Sequence, residues 1–269
     1  MEKNMQRTAT TRIIPAMAML LLSPFLCPAQ TPEEKGRAMA EEAERRYNGY
    51  EDSTAQLRMI LRNRQGQTSE RELRVRSLEV ADGTKSLCLF DTPADVKQTI
   101  LLTHTHTAAP DDQWLYLPAL KRVRRIAAQN RSGSFVSSEF SYEDIATHVM
   151  AKYTYQWLRD EACDGQDCHV IERRPIDSRE SGYKRQVVWL DKSEYRMLKV
   201  DYFDRRDSLL KTLTFKDYRR YLDKWWRSHD MTMVNHRNGK SSQLIWSDFA
   251  FRTGLTENDF NQANLATIR

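Results

Sequence analysis

His104 and His106 are the two residues of this sequence whose types and spacing come closest to those of a metal-binding site. Residues two apart in a strand point to the same face of a sheet, so both imidazole rings could reach one metal ion. A metal would need a further ligand, and the other histidines are scattered along the chain. We therefore expect an ordinary pair of surface histidines and no metal centre.

Motifs of familiar catalytic sites are absent from the sequence. There is no G-x-S-x-G, no H-E-x-x-H and no glycine-rich phosphate-binding loop. Aspartate and glutamate are plentiful, but no pair stands out as a general acid and a general base. The sequence therefore predicts a binding protein rather than an enzyme, and it predicts no cofactor.

Cys163 and Cys168 flank Asp-Gly-Gln-Asp, which has the composition of a turn between two strand-like runs. In an oxidising compartment this spacing predicts a disulfide across the tip of a hairpin. The alternative is half of a metal site, but no second cysteine pair is available to complete it. Cys88, between two leucines, is expected to be an apolar core residue.

Residues 1–29 have the layout of a cleavable export signal. A basic start precedes the apolar run 13–26, which is too short for a comfortable membrane span. Cleavage is predicted after Ala29, so that the mature protein begins near Gln30. Cys27 could instead carry a lipid anchor, but that reaction requires a small preceding residue and Leu26 is bulky. We therefore expect a soluble exported protein.

Residues 30–269 are expected to form a single domain. A chain of that length can bury a sizeable core, and no repeat, low-complexity tract or linker divides it. The formal net charge of the whole chain is +5, and part of that excess belongs to the export signal. A charge so close to balance argues against nucleic acid as the main partner.

Alternation of apolar and polar residues dominates the chain after a first predicted helix, Pro32–Tyr47. In residues 55–61 every second residue is apolar, which is the period of a strand. About eleven short strands are expected, and they predict a largely antiparallel sheet that curls on itself. Short helical pieces are predicted at 141–148 and 257–265. The strand-like runs of the last third are 197–203, 209–215, 218–226, 231–236 and 242–251.

Residues 111–145 carry three motifs in a distinctive order. W-L-Y-L-P (114–118) is followed by K-R-V-R-R-I (121–126) and then by S-F-V-x-S-E-F-S-Y-E-D-I (134–145). In this order the motifs resemble the LolA-like family of periplasmic outer-membrane lipoprotein-sorting proteins, and the resemblance covers about residues 36–265. Members are often encoded beside exporters of the resistance-nodulation-division (RND) type. Ser137 and Glu139 stand where glycine and aspartate are commoner in the family.

The resemblance implies a mainly β (α+β) fold, in which a curled antiparallel sheet forms a half-open β-barrel. It also implies a few covering helices over a cavity for lipid or acyl chains. Same-face sets of aromatic, methionine and leucine residues supply the candidates for the cavity wall, and a packed core is the alternative explanation for them. The candidates are Leu57, Met59, Leu61, Trp114, Tyr116, Tyr153, Tyr155, Trp157, Met231, Met233 and Trp246.

A basic run precedes an acidic group of residues in the same stretch. Lys121, Arg122, Arg124 and Arg125 could contact lipid headgroups or an acidic partner. The favoured alternative is that they pair with acidic residues close by in the sequence. Those residues are Glu139, Glu143 and Asp144.

The sequence and the resemblance together predict a periplasmic carrier. Its cavity would bind the acyl chains of lipoproteins or lipids, for sorting to the outer membrane or for hand-over to an RND-type exporter, with transient membrane contact. The alternative is an accessory or regulatory module that binds no cargo and either docks on a membrane transporter or senses envelope stress. A lipid hydrolase is a weaker third possibility.

Overall fold

The computed structural model describes Met1, Glu2 and residues 30–268. Contacts between residues divide the chain into two compact units, Met1–Gln30 and Thr31–Arg269. The predicted export signal and Cys27 fall on residues 3–29 and lie outside the described residues. Within the described part of the chain, no helix is both long and apolar enough to cross a membrane.

Thirteen antiparallel strands form one sheet within residues 30–268, two more than expected. They are β1 (Asp52–Arg62), β2 (Thr68–Val80), β3 (Gly83–Thr92), β4 (Ile100–His104), β5 (Asp112–Leu117), β6 (Arg122–Arg125), β7 (Tyr153–Cys163), β8 (Gln166–Pro175), β9 (Tyr183–Asp191), β10 (Met197–Asp204), β11 (Leu209–Tyr221), β12 (Trp225–Asn235) and β13 (Ser241–Phe251). The helices are α1 (Pro32–Tyr47) and the single turn α2 (Tyr142–Ile145).

The strand order places both ends of the sheet far from the point where the chain enters it. β1 pairs with β13 in the middle, β1 to β6 follow one another to one edge, and β13 back to β7 run to the other. The chain must therefore travel from the β6 edge to the β7 edge. Residues 126–152 make this connection, and we call them the crossing segment.

The sheet curls around a single main core. A flat sheet of this many strands would be roughly 55–60 Å wide. Leu115 of β5 and Ile171 of β8, each one strand from an edge, nevertheless belong to the same buried cluster. Phe135 and Phe140 of the crossing segment belong to that cluster as well, so the segment lies on the inner face of the curl. The predicted fold class, a curled and unclosed antiparallel sheet with covering helices, is confirmed.

The opposite face of the sheet carries two smaller clusters. Over β3 to β5, Phe260 and Leu265 of the C-terminal segment pack against Leu87, Ile100 and neighbouring residues. The predicted helix at 257–265 is in fact two short 3-10 turns, which are enough to cover this apolar patch. A second cluster joins residues of β8, β9 and β10.

One predicted strand boundary was wrong. The runs 209–215 and 218–226 belong to β11 and to the start of β12, and Leu222 and Asp223 form the turn between them. Both turn residues have positive φ, 46° and 53°, as a tight hairpin requires. Leucine is an unusual residue at such a position, so the sequence carries no clear signal for this turn. Asp217, with φ 48°, also interrupts the alternation of β11.

Helix α1 begins and ends where the sequence predicts, because its signals are local. Thr31 and Glu34 form a reciprocal capping box, and Pro32 occupies the first turn. The helix packs on β7 through Gly36, where an added Cβ would come within 2.5 Å of the backbone of Gln156 and Trp157. A glycine is needed here for close approach of the helix to the strand.

Gly36→Ala should therefore destabilise the protein. In an exposed helix the same change would stabilise by about 1 kcal/mol because alanine has the higher helix propensity, whereas overpacking against β7 costs about 1–3 kcal/mol. The sign of the change in unfolding free energy, measured with urea, decides whether α1 packs this closely. Arg37→Ala is the control, since Arg37 is exposed and bonds only to Glu41 of its own helix. A stabilised Gly36→Ala protein would contradict the packing.

Candidate functional site

A cavity of about 840 Å³ lies between the inner face of the sheet, α1 and the crossing segment. Ala40 and Ala43 of α1 contribute to one wall, and residues 143–153 contribute to another. The sheet supplies an apolar floor with Val188, Leu213 and Phe215 among its side chains. A volume of this size is typical of sites that hold a small organic ligand.

Five of the predicted candidates line this cavity. They come from three separate parts of the sheet, β1, β7 and the β12–β13 pair, which the curl brings around one space. These residues are Leu57, Tyr153, Tyr155, Met231 and Trp246.

Three other candidates are core residues instead. Met59 and Met233 are 0% exposed and sit in the main buried cluster, and Leu61 packs against that cluster. Each shares a sheet face with a residue that does line the cavity, as Met233 does with Met231. Alternation identifies the face correctly, but it does not show where along the strand the cavity gives way to packed side chains.

The last three candidates lie elsewhere. Trp114 and Tyr116 belong to the cluster on the opposite face, under the C-terminal turns. Trp157 donates its indole N–H to Asp160 at 2.9 Å and lies under the ammonium of Lys35. Trp157 pairs with Ile171 and so shares the inner face with Tyr155, but α1 packs directly on β7 at this position.

A buried ion pair holds the crossing segment to the sheet. Lys211 Nζ lies 2.6 Å from Asp144 Oδ2 and donates a second bond to the Glu139 carbonyl at 3.0 Å. Tyr183 donates its hydroxyl proton to Asp144 Oδ1 at 2.8 Å. The side chains of Lys211 and Asp144 are only 5% and 2% exposed, so the pair is largely shielded from solvent.

Glu143 makes the neighbouring attachment. Its carboxylate accepts bonds from Ser181 Oγ at 2.6 Å and from the Gly182 N–H at 2.8 Å, and it lines the cavity. Burial, and after it the negative charge of Asp144, raises the pKa of Glu143 to about 7. The carboxyl group is therefore partly protonated at neutral pH.

The predicted pairing of the basic run with these acidic residues is wrong. Glu139 accepts a bond from Asn235, and Glu143 and Asp144 bind partners on β9, β11 and the loop before β9. Arg122 and Arg124 lie on the exposed edge strand β6, and neither they nor Lys121 form an ion pair with any residue that the structure describes. Arg125 pairs with Asp112. Proximity in sequence is not proximity in space here, because the chain turns inward after Ile126.

A row of polar side chains crosses the inner face, one from each of six adjacent strands. The strand register aligns them directly, from Tyr155 of β7 to Asn235 of β12. We call this set the polar row. In order, it consists of Tyr155, Arg173, Gln186, Tyr202, Lys211 and Asn235.

His148 of the crossing segment bonds to the end of the polar row. Its Nε2 lies 2.8 Å from the Tyr155 hydroxyl, and its ring packs against Tyr153 with centroids 4.5 Å apart. Burial, reinforced by the positive charge of Arg173, holds the pKa of His148 well below its usual range. The imidazole is therefore neutral and adds no charge to the cavity.

His104 and His106, which the sequence predicts to be a surface pair, form hydrogen bonds in different parts of the structure. His104 bonds to the Phe260 carbonyl at 2.9 Å, whereas His106 bonds to Asp82 at 2.8 Å. Strand β4 ends at His104, so the two-residue period does not extend to His106. In residues 30–268, no cluster of histidine, cysteine, aspartate or glutamate has the arrangement of a metal site.

The structure does not contain the predicted disulfide, since Cys163 and Cys168 are both free thiols. In the β7–β8 hairpin, Glu161 faces Cys168 and Cys163 faces Gln166, so the two cysteines are diagonal neighbours. Diagonal positions are farther apart than directly opposed positions, but here the two thiol groups are within hydrogen-bond contact of each other. Oxidation of the pair remains a prediction. Cys88 is buried in the main core, as expected.

Solved structures share this architecture. An outer membrane lipoprotein-sorting protein domain from Vibrio parahaemolyticus is 53% identical, covers 87% of this chain and 99% of its own, and superposes with a TM-score of 0.85. A DUF1329 family protein from Desulfovibrio piger is 31% identical over 88% of this chain and 100% of its own, with a TM-score of 0.83. A LolA superfamily protein from Nitrosomonas europaea, 20% identical, covers 85% and 98% with a TM-score of 0.69 and shares the fold.

The fold and its enclosed space define a class of proteins in which an open, curled sheet surrounds a ligand-sized cavity. A family model described as "Uncharacterized protein" matches residues 82–267. No curated protein matches the chain. With the identities above, the chain belongs to the family of the outer membrane lipoprotein-sorting protein domain and the DUF1329 protein, and it has the fold of the LolA superfamily protein, as the motifs of residues 111–145 predict.

Glu143→Gln should make the protein more stable than the parent above pH 7. The carboxyl titrates near 4.5 ordinarily and near 7 when folded, so between these values the folded state binds more protons than the unfolded chain. The parent therefore loses stability as the pH rises, by about 3 kcal/mol in total, and the amide variant does not. Urea unfolding across this pH range measures the difference.

Glu139→Gln serves as the control for that experiment. Glu139 lies in the same segment but accepts its bonds from the neutral amides of Asn235 and Asn238, so this variant should keep the pH dependence of the parent. If Glu143→Gln showed the same slope as the parent, the assignment of the raised pKa to Glu143 would be wrong.

Proposed function

We propose that this protein is a periplasmic carrier that holds the acyl chains of lipoproteins or lipids in its cavity. The observation that carries the proposal is the cavity of about 840 Å³ with an apolar floor and covers on two sides. Each CH₂ group buried there is worth about 0.8 kcal/mol, so one or two acyl chains would bind tightly. Membership of a lipoprotein-sorting family and the predicted export signal support the cargo and the compartment.

A carrier must also release its cargo. Binding shifts the protein toward a closed state only to the extent that the cargo prefers that state, so release requires a competing site or the movement of a cover. Delivery would be toward the outer membrane or to an RND-type exporter. The resemblance of the 111–145 motifs to the family supports this step.

The exposed edge strand β6 is the proposed site of transient membrane contact. Three cations here have no carboxylate partner among the described residues: Lys121, just before the strand, and Arg122 and Arg124 within it. The fourth, Arg125, forms an ion pair with Asp112. Cations on an edge strand also discourage edge-to-edge aggregation. Their number and lack of counter-ions favour a second role, attraction to acidic headgroups, at about 1 kcal/mol for each cation near the surface.

Met231→Ala should weaken ligand binding and Met233→Ala should lower stability, although the two residues lie two apart on one strand. Met231 lines the cavity, so its truncation should weaken binding of an apolar fluorescent dye while costing little stability. Met233 is fully buried in the core, so its truncation should cost about 2–5 kcal/mol. Melting midpoint and dye affinity are measured on both variants and on Trp246→Ala, which should behave like Met231→Ala.

Two results would count against the carrier. One is a parent protein that binds neither dye nor fatty acid, and that is also free of lipid by mass spectrometry after native purification. The other is an equal loss of stability in all three variants, which would mean that the space is filled core. Either result would favour the alternative of a docking module without cargo, for which the cationic edge of β6 is the natural contact.

A variant with Lys121, Arg122 and Arg124 changed to glutamine should bind anionic vesicles at least tenfold more weakly than the parent, because it loses three unpaired surface charges. Co-sedimentation with phosphatidylglycerol vesicles measures the change, and added salt should abolish the difference. The matched control changes Arg64, Lys216 and Lys240, which are exposed, lack ion pairs to described residues and belong to strands or loops far from β6 in the strand order. Equal weakening by both triple variants would rule out a specific role for β6.

A further inference from the structure

We propose that Arg173 recognises an anionic oxyanion head, a carboxylate or a phosphate, at the end of a ligand's acyl chain. The inference rests on the proposed carrier function and specifies the ligand for the same cavity. It would make the ligand an ionised amphiphile rather than the neutral diacylglyceryl group of a lipoprotein. Arg173 lies on β8, within the polar row, and its side chain lines the cavity.

The crossing segment provides partners along most of the polar row. Glu139 bonds to Asn235, Asp144 neutralises Lys211, and His148 bonds to Tyr155. Arg173, which lies between Tyr155 and Gln186, receives no acid from the segment. Of the two cations in the polar row, the crossing segment therefore neutralises Lys211 and leaves Arg173 without an acidic partner.

The contacts of Arg173 leave most of its donors unused. Its Nε donates to Gln186 Oε1 at 2.6 Å, and its guanidinium lies 5.6 Å from the ring centroid of Tyr153. No carboxylate of the described residues lies within ion-pair distance of it. The remaining guanidinium N–H groups, which suit bidentate bonds to a carboxylate or phosphate, donate to no acceptor within residues 30–268.

Other cations around the cavity differ from Arg173 in this respect. Arg227 donates to the backbone carbonyls of Tyr47 and Trp226 and is surrounded by aromatic rings. The other cationic residues in the cavity wall each have at least one carboxylate partner. They are Arg46 with Glu194, Arg131 with Asp111, Lys152 with Asp111 and Arg196 with Asp191.

The two carboxyl groups of the crossing segment are bound to other partners, and Glu44 of α1, which lines the same cavity, forms no ion pair with Arg173. Asp144 is bound to Lys211 and Tyr183, and Glu143 to Ser181 and Gly182. A bound oxyanion would complete the site, with the Arg173 fork as its main contact. The acyl chain would then extend across the apolar floor toward Leu57 and Met231, which line the same cavity.

The test compares ligands that share one chain and differ in the head. Laurate, dodecyl phosphate and methyl laurate are titrated against delipidated protein, with displacement of an apolar dye as the readout. The two anions should bind roughly tenfold more tightly than the ester, as expected for a charge-assisted hydrogen bond. Inorganic phosphate alone shows whether a free anion suffices, and the order of laurate and dodecyl phosphate identifies the preferred head.

Arg173→Gln should lower the affinity for both anions to that of the ester, and it should leave the ester unchanged. Arg174→Gln is the matched control, because Arg174 is the next residue in β8, is exposed and pairs with Glu172. It should retain the preference for anions. Unchanged ester binding also shows that the Arg173 variant is folded, and the comparison of ligands on the parent protein requires no variant at all.

The experiment distinguishes a wrong role for Arg173 from a wrong carrier function. If laurate, its phosphate analogue and the ester bind equally to the parent protein, or if Arg174→Gln matches the loss in Arg173→Gln, the role of Arg173 is wrong and the carrier stands. Tight binding of inorganic phosphate with no gain from a chain would also overturn the proposal, since the site would then be an anion site alone. If no ligand displaces the dye, the carrier function itself fails.

Discussion

The ion pair between Lys211 and Asp144 is the contact on which the interior of this protein depends. The chain leaves the sheet at β6 and re-enters at β7, so the crossing segment has to traverse the inner face of the curl. A buried pair of this kind contributes little net stability when intact, but removing one partner leaves a buried charge that costs about 3–5 kcal/mol. The pair therefore fixes the position of the segment more than it stabilises the fold.

The position of the segment determines where the cavity lies. Phe135 and Phe140 fill the inner face on one side, where Phe135 packs on Phe90 with ring centroids 5.6 Å apart. The stretch from Glu143 to Lys152 then lines one side of the cavity. The same polypeptide thus supplies two core phenylalanines that also border the cavity and, after them, the cavity wall to which the ion pair belongs.

Features that depend on neighbours in sequence could be predicted, and features that depend on the crossing could not. The capping box of α1, the alternation in β1 and the motifs of residues 111–145 are local, and they led to the correct helix, sheet and family. The partner of Asp144 lies 67 residues away on β11, and no local pattern points to Lys211. Arg173 was missed for the same reason, because its lack of a counter-ion is visible only once the polar row is aligned by register.

The two covers of the cavity are held by contacts of different strength. The crossing segment is fixed by a buried ion pair and by the bonds of Glu143, which are costly to break. Helix α1 rests on β7 through the small residues Gly36 and Ala40, and its ion pair between Arg46 and Glu194 joins side chains that are each 35% exposed. Exposed pairs of this kind are worth at most about 1 kcal/mol. The C-terminal end of α1 is held more firmly, because the buried side chains of Arg227 and Trp225 donate to the carbonyls of Tyr47 and Asn48. In the carrier proposed above, the N-terminal part of α1 is therefore the part of the covers that would move at lowest cost.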